Sequence, residues 1–125
     1  MKRTIICAAL LAAMIITGAA LSSYTEEVTS RTAEKLVRLE EMSYRADKAE
    51  LVATAETISA DWEAFCANNI FLTNNECAFE ISEALLHIIA ELRCGETDIA
   101  EECAETVMLL DVYEKSRALT LENIF

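Results

Sequence analysis

Proline is absent from all 125 residues, and glycine occurs only at Gly18 and Gly95. With so few breakers and no Asn-Gly or Asp-Gly pair, the chain has no hairpin signals. A glycine-rich loop able to cradle phosphate is excluded on the same ground. Basic side chains are scarce, 10 Lys and Arg against 22 Asp and Glu, for a formal charge of −12. Nucleic acid and anionic lipid headgroups both require a cationic face, so neither is an expected partner. Histidine occurs once, at His87, with no HExxH, no C-x2-C pair and no Ser-His-Asp set supported by a turn. The chain therefore has no catalytic constellation and no cofactor motif, and the expectation is a protein that is not an enzyme.

What remains is Ala, Leu and Glu, which predicts an all-α fold in one small domain. The N-terminus, MKRTIICAALLAAMIITGAALSSY, carries two cations and then runs uncharged from Thr4 to Leu21. As a helix this run spans about 27 Å, close to a ~30 Å hydrocarbon core. Lys2 and Arg3 on the inner side and Tyr24 at the far interface fit a single-pass transmembrane anchor over 1–22. Ala20 and Ser22 fit the small residues of a signal-peptide cleavage site. Under either reading the rest of the chain is exported, with an anchored N-terminus in the cytoplasm and the domain outside the cell membrane. Cys7 has too little apolar sequence before it to be a lipoprotein cysteine.

Charge divides the remainder. Between Tyr24 and Lys48 six acids face five bases, whereas between Ala49 and Glu114 fifteen acids face one base, Arg93. Ser23 and Glu26 have capping-box spacing, and nothing from there to Phe65 breaks a helix. Glu27/Arg31, Glu34/Arg38 and Glu41/Arg45 repeat every seven residues, each pair supporting a helix by about 0.2–0.5 kcal/mol. The apolar stripe is thin here (Val28, Leu36, Leu39, Met42, Ala46), then becomes regular at Leu51, Ala55, Ile58, Trp62 and Phe65. Thr73 and Glu76 suggest a second cap, opening a helix with Ala78, Ile81, Leu85, Ile88 and Leu92 inside, widened by Leu86 and Ile89. Gly95 is its stop, and Thr97 opens a third helix carrying Ile99, Cys103, Val107, Leu110 and Tyr113. Helices of about 20 residues can bury only the second half of the 23–65 helix. The sequence thus predicts a helical stalk over 23–48 continuing into an acidic antiparallel three-helix bundle over 49–118. The alternative is a kink near Ser43 that folds the stalk back into a four-helix bundle.

Two Asn-Ile-Phe segments, at 69–71 and 123–125, put large apolar residues where polar ones are usual. With a straight stalk, both fall at the pole farthest from the membrane. There the tail 119–125, with Leu119, Leu121, Ile124 and Phe125, is expected to fold back beside Ile70, Phe71 and Leu72 and close the bundle. The alternative is an exposed apolar patch or a C-terminal ligand for a partner. In an oxidising compartment, Cys66, Cys77, Cys94 and Cys103 could pair. Cys77 and Cys94 stand at opposite ends of one helix, so disulfides, if formed, are 66–77 and 94–103; buried free thiols are the alternative. His87 shares a helix face with Glu83 and Glu91, each four residues away, and these are the candidate metal ligands. Three ligands along one helix cannot all converge, so a second helix would have to contribute; a solvated acidic face is the alternative.

The charged start, the single apolar helix, Trp62, Asn75-Glu76 and the ending LTLENIF resemble a family of small N-terminally anchored helical proteins from spore-forming Firmicutes, known only as a domain of unknown function. The likeness covers nearly the whole chain. It implies an all-α fold and, since members are often encoded beside a multi-spanning membrane protein, a membrane partner. It carries no activity over. Where members commonly have a His-acid pair opening the second bundle helix, this chain has Asn75-Glu76. The expected function is a membrane-anchored extracytoplasmic module that binds an integral membrane or envelope protein. The alternative is a divalent-cation or redox-responsive sensor.

Overall fold

A computed structural model describes residues 1–73 and 75–124, and their side chains except those of 71, 72 and 118–124. The chain forms α1 Lys2–Met42, α2 Lys48–Asn68, the single turn α3 Ile70–Thr73, α4 Glu76–Arg93 and α5 Ala100–Ile124, with no strand among the described residues. The fold is all-α, a long N-terminal apolar helix leading into a helical bundle. Helix α1 is continuous through Ser23–Glu26, so that capping-box spacing marks no boundary. Nothing there interrupts the i→i−4 ladder, and a Ser inside a helix is tolerated.

Residues 23–42 do not form a free stalk. They lie between α2 and α5, while α4 closes the other side, giving an antiparallel up-down-up-down bundle of four helices rather than three. The chain turns at 43–47, close to Ser43, where the fold-back alternative placed its kink. Ser43 donates its hydroxyl to Glu40 O, and Asp47 then caps α2 by accepting from Glu50 N at 2.9 Å. The packed seam of α1 is Thr25, Thr29, Thr32, Leu36 and Leu39, all buried. Thr32 donates to Val28 O at 2.8 Å, and Thr29 contacts Glu26 O at 3.1 Å and Glu114 Oε2 at 3.2 Å. These hydroxyls are satisfied by their own helix or by α5, which leaves the methyl groups to pack. A seam that looks polar by residue type is therefore apolar in contact.

The core of the other helices follows the predicted spacing. Ile58, Trp62 and Phe65 on α2, Ile81, Leu85, Ile88 and Leu92 on α4, and Leu110 and Tyr113 on α5 are buried together. Val107 is only half-buried, because Thr106 occupies the seam and returns its hydroxyl to Glu102 O at 2.8 Å. Ile89 is buried as expected, but Leu86 is exposed. Trp62 packs edge-on to Tyr113 with centroids 5.8 Å apart and donates Nε1–H to Ser82 Oγ at 3.1 Å. Lys35 on α1 reaches Asp61 on α2 at 2.9 Å, and Arg93 pairs with Glu56 across α4 and α2. Of the three predicted Glu–Arg pairs, Glu27–Arg31 is the one within ion-pair distance among the described residues.

Helix ends are set by side chains one or two positions from those the sequence suggested. Asn75, not Thr73, caps α4, accepting from Ala78 N at 2.9 Å, and Thr73 instead donates its hydroxyl to the carbonyls of Cys66 and Asn69. Helix α5 starts at Ala100 rather than beside Thr97. Gly95 does end α4: its φ is +87°, with Glu96 N bonded to Glu91 O and Gly95 N to Leu92 O, the paired bonds of a Schellman turn.

The fold-back inverts the poles. Tyr24 packs on Phe65 with ring centroids 5.7 Å apart, and Thr29 touches Glu114. The end of α2, all of α3, the start of α4 and the end of α5 thus gather where the apolar half of α1 leaves the bundle. The segment Asn69–Phe71 belongs to this near pole, not the far one, and α5 runs toward the same pole as far as Ile124, while Phe125 lies outside the described residues. The tail does not fold back, since α5 continues as helix to Ile124. The contacts expected of Leu119, Leu121, Ile124, Phe125, Phe71 and Leu72 lie outside the described side chains.

Candidate functional site

Two surface features combine chemistry with shape. The first lies between α4 and α5. On α4, His87 is outward from the seam residues Leu85 and Ile88, and one turn later Glu91 brings Oε1 to 3.0 Å from His87 Nε2. Helix α5 runs back beside α4 after the Gly95 turn, which places Glu102, in its first turn, against this pair. One ligand atom from each of His87, Glu91 and Glu102 lies within 4.8 Å of the others. Beside them is an open cleft of about 570 Å³ whose wall includes Glu80, Glu83, Glu105 and Thr106. Glu91 Oε2 and Glu102 Oε2 are closed off from solvent and have no hydrogen-bond partner.

Of the ligands expected on α4, the structure joins His87 and Glu91, while Glu83 lines the cleft outside the convergent set. Glu102 takes the third position. Its role was not legible in sequence, where an acid in a first turn reads as a partner of the helix dipole. Only the reversal of the chain through 94–99 brings it to α4, which is the second helix that the spacing along α4 demands.

The second feature is a groove of about 310 Å³ at the near pole, between α2–α3 and α4, with Cys66, Ala67, Ile70, Ala78 and Phe79 in its wall and Glu63 at its edge. Ile70 and Phe79 are 65% and 60% exposed, so this pole presents large apolar side chains to its surroundings. Asn69 does not join them; it returns its amide to Phe65 O at 2.9 Å and closes α2.

All five cysteines are free thiols, and neither 66–77 nor 94–103 is bridged. Cys103 is buried and Cys66 and Cys77 are half-buried, whereas Cys94 is exposed at the end of α4. Burial pushes the Cys103 thiol up to about 12, with Glu40 and Glu102 adding to the effect. Burial likewise raises Cys66, assisted by Glu63, and Cys77, assisted by Glu80. A thiol held protonated is a poor nucleophile and a poor metal ligand, so these three behave as small apolar side chains.

No protein family, curated protein or solved structure matches this chain.

Proposed function

We propose that the chain is a single-pass membrane-anchored helical module, its bundle on the extracytoplasmic side, that binds another integral membrane or envelope protein. The carrying observation is α1 itself. It is long and apolar enough to cross a membrane, and only 6% of its most apolar window is buried against the rest of the protein. A core helix of that composition would be covered; this one projects Ile5, Ile6, Leu10, Leu11, Met14, Ile15 and Ile16 outward. The same helix then enters the bundle without a break. Lys2 and Arg3 favour a cytoplasmic N-terminus. The apolar groove with Ile70 and Phe79 lies at the pole where the anchor emerges, within reach of a neighbour in the same membrane. Fifteen acids on the bundle segment argue for a protein surface carrying basic residues as the ligand, in preference to anionic headgroups.

The test is fractionation with site-specific photocrosslinking of the full chain in its own membranes. A crosslinker at Phe79 should capture an integral membrane protein, whereas one at Glu101, at the opposite pole, should not, and the chain should resist alkaline extraction. Recovery in the soluble fraction defeats the anchor, and equal capture from both positions, or none from Phe79, defeats the docking pole.

A further inference from the structure

We propose that His87 and Glu91 of α4 with Glu102 of α5 form a binding site for a divalent first-row metal ion, with Zn2+ held more tightly than Mn2+. The site is independent of the membrane reading. An imidazole nitrogen with two carboxylates is a borderline N/O donor set, suited to Zn2+ or Mn2+ rather than to Ca2+, which takes six or more oxygens. Three protein ligands leave room for water, the pattern of an open zinc site. Zn–N and Zn–O bonds of about 2.0–2.2 Å set tetrahedral ligand edges of about 3.3 Å. His87 Nε2 and Glu91 Oε1 are already 3.0 Å apart, and every pair in the set falls within 4.8 Å.

A patch of acids alone would not carry this. Glu91 Oε2 and Glu102 Oε2 are cut off from solvent and accept no hydrogen bond. Carboxylate oxygens are strong acceptors that normally keep water or find a donor when covered. Lys and Arg, the usual partners, are almost missing from this part of the chain, where Arg93 is taken by Glu56. A small dense cation held between His87, Glu91 and Glu102 supplies the positive charge that no Lys or Arg among the described residues brings to these carboxylates. Glu80, Glu83 and Glu105 along the cleft raise the local concentration of cations without ligating. Bound metal pins α4 to α5 across the Gly95 turn.

The full chain in detergent micelles, stripped with a chelator, is titrated calorimetrically with ZnCl2 and in parallel with MnCl2 and CaCl2. One equivalent of Zn2+ is expected, with Mn2+ weaker and Ca2+ weakest, and the melting midpoint should rise on adding Zn2+ and fall again with chelator. Glu102→Gln and His87→Gln, checked for unchanged helicity, should each weaken Zn2+ by more than the ~10–100-fold that loss of an outer-shell partner costs. Glu83→Gln should bind like the parent. Co2+ serves as a second probe in the parent chain: d–d bands with no thiolate charge-transfer absorption place the metal on nitrogen and oxygen. The proposal is overturned by no Zn2+ heat in the parent, by a thiolate band, by Glu102→Gln binding as tightly as the parent, or by Glu83→Gln losing as much as Glu102→Gln.

Discussion

At Gly95 the backbone adopts φ +87°, where an L side chain is strained although space for a methyl group is open. Gly95→Ala should therefore destabilise the chain by about 1 kcal/mol, the reverse of the gain that Gly→Ala brings inside a helix. Urea unfolding with an unchanged m-value checks this. Cys103 makes a different prediction. In the unfolded chain a thiol titrates from 9.0, but burial holds it protonated to about 12. Between those values the folded state binds more protons than the unfolded state, so stability is fully present below pH 9 and falls as pH rises toward 12. The loss from this group is on the order of 3–4 kcal/mol. Tyr113, raised chiefly by its own burial against the opposing pull of Arg117, steepens the same alkaline limb. Cys103→Ala should lower stability at neutral pH yet flatten its fall above pH 9. Alkylation at pH 8 followed by intact mass should label Cys94 and spare Cys103 in the folded chain.

Among elements, the second half of α1 is the decisive one. Leu36 has no solvent exposure. Leu36→Ala should cost about 2–4 kcal/mol, as for other buried leucines, where a residue on a free stalk would cost close to nothing. Thermal melts of the two chains separate these outcomes. The seams of α2 and α4 were legible because Leu51 to Phe65 and Ala78 to Leu92 repeat large apolar residues in steps of three and four. The seam of α1 was not, because Thr25, Thr29 and Thr32 count as polar by residue type, and the hydroxyl partners of Thr29 and Thr32 show only in the fold. The turn did leave a trace: Asp47 and Glu50 have the spacing of a helix start, at the place where charge and apolar pattern both change. Similar reasoning explains the site. Two of its three ligands share a helix face that periodicity displays, whereas Glu102 joins them only through the reversal at 94–99. Tyr24 fitted a membrane interface by sequence, and its ring, 44% exposed, also packs on Phe65. That contact depends on where α2 ends, which a reading of α1 alone does not reveal.

Over the whole molecule, repulsion among acids opposes bringing four helices together, since the chain carries a formal charge of −12 and its few ion pairs are mostly exposed. Added salt shortens the Debye length from about 30 Å at 0.01 M to about 8 Å at 0.15 M, which screens repulsion across the bundle. The melting midpoint in NaCl should rise over that range. A falling midpoint would mean that the pairs Lys35–Asp61 and Arg93–Glu56 outweigh the repulsion. Helix α1, finally, extends 41 residues, about 60 Å, with no proline and with its one glycine inside the ladder. A rod of that kind has no joint between its lipid-compatible half and its threonine-lined half. Torque applied by a neighbour to the first arrives at the second as a turn of Thr25, Thr29 and Thr32 against α5. A rotation of the shaft would therefore be felt at the Thr29–Glu114 contact that joins α1 to α5.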